Sequence, residues 1–294
     1  MPSTRRRPTP FDPLVRKVES AGFLDAPAKA VAKQVRSLLS SSSAVKEAVS
    51  GTWLGHALHP LLTDVVIGSF VSATLLDVLG GDDDGRASER LIGVGIAAYA
   101  PTALTGANDW ADTEPVSDAV RRDGLVHAAT NSTALALYVA SLRARRRGDE
   151  GRGKLLGVAG ATVLMAAGYL GGHLSFVKGV GPAQTVYDEG PTDWMPAADA
   201  SQLPEGRPTR VVVDDTPVLV LRENDRFYAI HDRCSHRGCS LSDGEVDGDD
   251  IVCACHGSRF DKRDGSVQRG PATVAQPAFQ TRVDSGRVEV RRLG

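Results

Sequence analysis

Near its C-terminus the chain reads Cys234-Ser-His236-Arg-Gly-Cys239 and then, after sixteen intervening residues beyond His236, Cys253-Ala-Cys255-His256-Gly-Ser-Arg-Phe-Asp261. Cys234 and His236 are spaced i, i+2; Cys253 and His256 are spaced i, i+3. Two thiols and two imidazoles offered by two loops suit one of two centres. One is a tetrahedral zinc ion. The other is a [2Fe–2S] cluster with two thiolates on one iron and two imidazoles on the other. All four cysteines of the 294-residue chain lie between Cys234 and Cys255, so they serve one site.

The elements that must carry this motif divide into contrasting halves. Residues 1–50 form a basic, mixed, polar N-terminal arm, in which 13–39 could make one amphipathic helix with Leu14, Val18, Phe23, Val31, Val35 and Leu39 as its apolar positions. The serines 40–43 mark a linker. Residues 51–180 are rich in Ala, Leu, Gly and Val, with charge confined to short clusters. Their apolar segments run near 55–79, 91–108, 124–142 and 155–177, each about 18–25 residues, the length that crosses about 30 Å of hydrocarbon. From about 185 the period changes. Thr209–Val213, Val218–Arg222, Phe227–Ile230, Ile251–Cys253, Gln280–Val283 and Val288–Val290 are strand candidates, separated by turns such as Asp214-Asp215 and Asn224-Asp225. The expected architecture is therefore multidomain: an all-α four-helix transmembrane bundle (51–180) followed by an all-β domain (185–294). The Arg5–Arg7 run is followed by Pro and Thr rather than an apolar segment, so membrane targeting is expected from the internal helices. Net charge is −2 and well spread, which speaks against a nucleic-acid partner.

Over roughly residues 190–294 the chain resembles the Rieske family. The resemblance rests on C-x-H, sixteen residues, C-x-x-H, the Gly257-Ser258 that follows directly, and Arg269-Gly270-Pro271-Ala272, which looks like the family's proline loop over the cluster. It implies a [2Fe–2S] cluster with Cys234 and Cys253 on one iron and His236 and His256 on the other, and with Gly257, Ser258 and Pro271 beside it. It also implies that Cys239 and Cys255 pair as a disulfide joining the two loops, as in the Rieske subunits of cytochrome bc complexes. Ser258 matches the family serine that hydrogen-bonds a bridging sulfide. Phe260 stands where the bc-type proteins have a tyrosine, so one hydrogen bond is missing. The implied potential is high, but below the top of the Rieske range of about −150 to +300 mV. The stretches Arg259-Phe-Asp and Asp264-Gly-Ser-Val-Gln-Arg-Gly-Pro-Ala resemble the ferredoxin branch instead. His231, at a strand end, reads as a half-exposed polar residue.

Residues 50–180 resemble a family of predicted four-helix bacterial membrane proteins of unknown function, through His-Ala-Leu-His-Pro-Leu-Leu-Thr-Asp, Ala-Leu-Thr-Gly-Ala-Asn-Asp-Trp, Gly-Leu-Val-His-Ala-Ala-Thr-Asn and Gly-Tyr-Leu-Gly-Gly-His-Leu. Four histidines lie here: His56, His59, His127 and His173. Histidine in a membrane segment is a functional signal by default. Facing histidines on a bundle can hold a b-type haem or another metal; a quinone or proton site and plain interface polarity are the other readings. Asp64 follows His59 as a possible partner. The Arg143–Lys154 loop lies close to helix ends, which favours its placement in the cytoplasm of a bacterial cell membrane and the β domain outside. An oxidising compartment would suit the disulfide.

These readings converge on a multi-pass, membrane-anchored carrier that passes single electrons between a quinol, a bundle haem or a soluble redox partner protein. The alternatives are a ferredoxin-like component of a Rieske oxygenase system and a redox-sensing membrane module. The catalytic domain of a Rieske oxygenase follows its cluster domain, and here about 40 residues follow His256.

Overall fold

The computed structural model describes residues 9–39, 42–81, 84–115 and 117–293. The Arg5–Arg7 run, Ser40 and Ser41 of the linker, and Asp82-Asp83 of the first inter-helix connection lie outside the described residues. By contact the chain separates into two units: residues 1–38 with 59–180, and residues 39–58 with 181–294.

The first unit is helical. The stretch expected as one N-terminal helix is broken into α1 (Asp12–Glu19) and α2 (Asp25–Leu39), with a short 3-10 turn at Gly22–Leu24 between them. Asp25 and Pro27 are residues that open a new helix rather than continue an old one. The buried positions also differ from the expected stripe. Leu14, Phe23 and Val31 are exposed, whereas Val15, Ala28 and Ala32 are buried. Small alanines let the arm approach closely, and they pack with Trp110, Ala111, Val120 and Leu174. Arg122 holds the break in place, reaching both carboxylate oxygens of Asp25 (2.8 and 2.7 Å) and the Glu19 carbonyl.

The four apolar segments lie in α4 (Leu58–Leu79), α5 (Gly85–Thr113), α6 (Asp118–Arg146) and α7 (Glu150–Gly172), the last running on into a π-helical turn, His173–Val177. Among the described residues, α4, α6 and α7 with its π-turn are long and apolar enough to cross a membrane. α5 has the length, but Pro101, several Gly and Thr, and Asn108 dilute its apolar content. In the three candidate spans only 22%, 22% and 28% of the most apolar window is buried in the protein, so most of each apolar surface is left uncovered by the described residues.

The bundle core forms around Phe70, stacked on Tyr138 at 3.9 Å between ring centroids, with Val66, Ala73, Ile92, Leu142 and Leu164. Gly95 makes room for this stack: a Cβ there would lie 2.5 Å from the Phe70 ring. Gly95→Ala is therefore expected to destabilise the bundle by about 1–3 kcal/mol, the usual cost of overpacking. Thermal unfolding of the detergent-solubilised chain checks this, and an unchanged midpoint would show that Phe70 can yield.

Among the described residues, the second unit holds α3 (Ser43–Ser50) and ten strands. These are β1 (Met195–Asp199), β2 (Thr209–Val213), β3 (Thr216–Glu223), β4 (Arg226–His231), β5 (Glu245–Asp247), β6 (Asp250–Val252), β7 (Arg259–Asp261), β8 (Val267–Arg269), β9 (Ala278–Asp284) and β10 (Arg287–Arg292). The larger sheet has the order β1-β10-β9-β4-β3-β2 and the smaller β5-β6-β7-β8, with every pairing antiparallel. Three hairpins of the larger sheet turn through Asp214-Asp215, Asn224-Asp225 and Ser285-Gly286, each pair at positive φ. That geometry matches the strand twist and is why Asp, Asn and Gly occur there. The strands expected from the sequence are all present; β1, β5, β7 and β8, short or weakly patterned, are additional. Leu219, Leu221, Ile230, Leu241, Ile251 and Phe260 form a buried core directly beneath Cys234 and Cys253.

Candidate metal centre

Two loops carry the Cys and His residues. The first follows β4; the second joins β6 to β7. They repeat one backbone design. In the first, Gly238 N–H donates to the Cys234 carbonyl (2.8 Å) and Cys234 N–H to the Cys239 carbonyl (2.8 Å). In the second, Gly257 N–H donates to the Cys253 carbonyl (2.9 Å) and Cys253 N–H to the Ser258 carbonyl (2.9 Å). Each turn closes through a glycine in the left-handed region, Gly238 at φ 78° and Gly257 at φ 73°, where a Cβ would be strained.

Cys239 and Cys255 form a disulfide between the loops, with 6.6 Å between their Cα atoms. Cys234 and Cys253 are free thiols, 1% and 2% exposed. Beside them the rings of His236 and His256 stand edge to face, 5.1 Å between centroids. The donor set thus separates into two buried sulfurs and two adjacent imidazoles.

Electrostatics favour the metal-ready form at Cys253 and His236. The hydrogen bond with Cys253 and burial instead push the Cys234 thiol up, so one proton is shared across the sulfur pair until a metal displaces it. The hydrogen bond from Cys234, opposed by burial, pulls the Cys253 thiol down to about 6. Burial, with Arg237, His256 and Lys46 nearby, holds the His236 imidazole well below its usual value and so neutral. Neutral imidazole and thiolate are the forms that bind metal. The four residues therefore fit a [2Fe–2S] cluster that they could hold two by two.

The surrounding bonds fix the loops. Ser258 is fully buried, and its Oγ accepts from Ala272 N–H at 3.0 Å, which leaves the hydroxyl proton available for a second acceptor. Pro271 lies in the loop that supplies that N–H, and Arg269 reaches the Gly257 carbonyl (3.5 Å). Phe260 sits in the apolar core and brings no hydroxyl.

Several positioning residues carry no local signature in the sequence. Gln276 accepts from Ser235 N–H (2.9 Å) and donates to the carbonyls of His231 (3.2 Å) and Arg233 (3.0 Å). Buried Asp232 accepts from Ser240 Oγ, Ser242 N–H and Ser242 Oγ at 2.6–2.8 Å. His231, expected half-exposed, is fully buried: Nδ1 accepts from Arg233 N–H (3.0 Å) and Nε2 lies 3.1 Å from the Asp188 carboxylate. It staples the first loop to the sheet. Residues 43–55, far away in sequence, pack on the proline loop. Thr52 Oγ1 donates to the Ala272 carbonyl (3.3 Å), and a Cβ on Gly270 would lie 2.2 Å from that hydroxyl.

The histidines of the helical half have separate partners. His56 belongs to the second unit and is exposed, with Nδ1 3.0 Å from the Ala57 carbonyl. His59 ties α4 to α5, with Nδ1 3.0 Å from the Thr102 carbonyl and 3.2 Å from Thr105 Oγ1. Asp64 is exposed. His127 ties α6 to α7 through the Ala167 carbonyl (2.9 Å), while its Nε2 faces Asn131 Nδ2 (3.1 Å). Both of its ring nitrogens are engaged, so it is not presented to a haem iron. His173 lies beside Glu19 and Asp123.

Residues 193–280 match the Rieske [2Fe-2S] domain family, which implies a [2Fe–2S] cluster, and residues 55–184 match a family described as predicted membrane protein (DUF2231). Ferredoxin CarAc of Metapseudomonas resinovorans is 39% identical over 98 residues, 33% of this chain and 92% of that protein. The anthranilate 1,2-dioxygenase ferredoxin subunit of Burkholderia cepacia is 32% identical over 98 residues, 33% of this chain and 91% of that protein. A solved complex of reduced oxygenase and oxidized ferredoxin in carbazole 1,9a-dioxygenase shares 36% identity, covering 35% of this chain and 98% of that one, with a TM-score of 0.32.

Proposed function

The chain belongs to the Rieske [2Fe–2S] family through its C-terminal domain, and from that premise we propose that it is a membrane-anchored carrier that takes and gives electrons singly. The observation that carries this reading is the pairing of two buried free thiols, Cys234 and Cys253, with two adjacent imidazoles, His236 and His256, on loops tied by a disulfide. Those four residues would hold the cluster, Cys234 and Cys253 as thiolates and His236 and His256 as neutral imidazoles. Imidazole ligation removes negative charge from the cluster and raises its potential. When bound, the cluster supplies one-electron chemistry. Gly257, Ser258 and Pro271 shape its surroundings.

The anchor is the unit that contains α4–α7, in which α5 crosses with the three more apolar helices through its uncharged stretch 91–107. Both ends of that bundle then emerge on one side of a bacterial cell membrane. The Cys239–Cys255 disulfide favours the outer, oxidising side. One arginine should be struck from the charge count of the 143–154 loop: Arg145 is buried against Asp77 and does not face the aqueous phase.

The electron source or acceptor is a soluble redox protein or a quinol. The ferredoxin subunits it resembles favour a second reading, in which the domain serves an oxygenase. A redox-sensing module is the third.

The test is an iron assay and an EPR spectrum of the dithionite-reduced whole chain in detergent, with a redox titration. A rhombic signal of mixed His and Cys ligation, and a potential within about −150 to +300 mV, are expected. Zinc in place of iron overturns the reading. A haem Soret band in the same sample would make the bundle an internal relay; its absence directs the search to external partners. Ser258→Ala removes one hydrogen bond to the charged centre. Such bonds contribute about 1.5–3 kcal/mol and are stronger to the reduced cluster, so a fall of at most about 130 mV is expected for a one-electron couple. An unchanged potential would show that the hydroxyl is turned away from the cluster.

A further inference from the structure

We infer that Glu19, Asp123 and His173 form a second metal site, for a divalent transition cation, within the helical unit. The three residues come from three elements: the C-terminal end of α1, the second turn of α6, and the first position of the π-helical turn after α7. Their ligand atoms all lie within 4.8 Å of one another. His173 Nε2 is 3.4 Å from Glu19 Oε1 and 3.7 Å from Asp123 Oδ2.

Burial points to a ligand. The Asp123 side chain is 0% exposed and that of His173 4%. Among the described residues neither Asp123 oxygen accepts a hydrogen bond. A buried carboxylate with no donor is costly unless a cation compensates it. His173 lies beyond hydrogen-bonding distance of it, and Lys178 pairs with Glu19 instead, at 2.5 Å. Two carboxylates against one ammonium leave a negative site for a dication.

The surrounding structure converges on the same point. The π-helical turn that closes the C-terminal end of α7 starts at His173 and brings that side chain to Glu19 and Asp123. Arg122 clamps the end of α1 by binding the Glu19 carbonyl and the Asp25 carboxylate, which holds Glu19 over Asp123.

Two oxygens and one imidazole nitrogen suit Zn(II), Mn(II) or Fe(II) rather than softer ions. Three protein ligands leave a fourth position to water, as in open zinc sites. The site shares no residue with the Cys and His loops.

The experiment uses the whole chain in detergent with its iron loaded. It is treated with chelator, exposed to Zn(II), desalted, and assayed for zinc and iron together. Wild type is expected to retain one zinc per chain with its iron undiminished. Asp123→Asn and Glu19→Gln should keep their iron and bind zinc at least about tenfold more weakly, since even outer-sphere changes cost that much. Glu19 is partly exposed, so Glu19→Gln carries the test if Asp123→Asn does not fold. Wild type that retains no more zinc than these variants overturns the site and leaves a plain contact of His173 with the two carboxylates. Zinc gained at the expense of iron also overturns it, because that zinc has entered the Cys and His loops.

Discussion

Cys253→Ala is expected to empty the purified chain of iron, whereas the double replacement Cys239→Ser with Cys255→Ser is expected to leave the iron in place and weaken the fold that holds it. Four cysteines crowd one end of the domain, and two assignments compete for them. The sulfurs of Cys239, Cys253 and Cys255 lie within 4.8 Å of one another, a grouping that could hold a metal by thiolates alone. The structure spends two of those sulfurs on the Cys239–Cys255 bond and leaves Cys234 and Cys253 reduced beside His236 and His256. A cluster held two by two cannot lose one thiolate and keep that iron's coordination, so the Cys253 effect is all or none. The disulfide instead restrains the unfolded chain. Its partners are 16 residues apart, a loop whose closure is worth about 3 kcal/mol. Iron assay and the reduced EPR signal read the first effect; denaturant unfolding reads the second. Iron that survives Cys253→Ala but vanishes with Cys239 and Cys255 would install the all-thiolate assignment instead.

Arg145→Met is expected to lower the stability of the helical unit by about 3–5 kcal/mol, the cost of leaving a buried charge without its partner. Arg145 on α6 is 0% exposed and Asp77 on α4 is 2% exposed, and they pair directly. Arg145 also reaches Ser141 Oγ (3.3 Å) and Glu150 Oε2 (3.5 Å). Gly153 clears the space for its stem, since a Cβ there would lie 2.5 Å from Arg145 Cγ. Replacing the arginine alone strands the Asp77 carboxylate, one of whose oxygens already lacks a hydrogen bond among the described residues. Replacing both, Asp77→Leu with Arg145→Met, removes the stranded charge and should recover most of the loss. Thermal unfolding of Asp77→Leu, Arg145→Met and the double variant in detergent gives the cycle. Equal loss in the single and double variants would show that the pair contributes through packing alone.

Some of this protein could be read residue by residue. Cysteine and histidine spacing in two short loops marks the iron centre, because the donors that share a loop are neighbours in sequence. Alternating β-branched strands and the Asp214-Asp215 and Asn224-Asp225 turns mark the sheet, because strand period and type I′ turns are local properties. The apolar segments mark the helices for the same reason. The tertiary structure decided what depends on pairs far apart. Gln276 reaches Ser235 across 41 residues, Thr52 reaches Ala272 across 220, and Glu19 reaches His173 across 154. Ordinary side chains such as Gln276 and Thr52 have no periodicity to betray them. Arg145 looks like one basic loop residue among several until Asp77 is found opposite it. The N-terminal arm looks like one helix until Arg122 binds on both sides of its break. Local conformational preference is written in neighbouring residues, whereas burial and charge pairing arise only when the folded chain brings distant ones together.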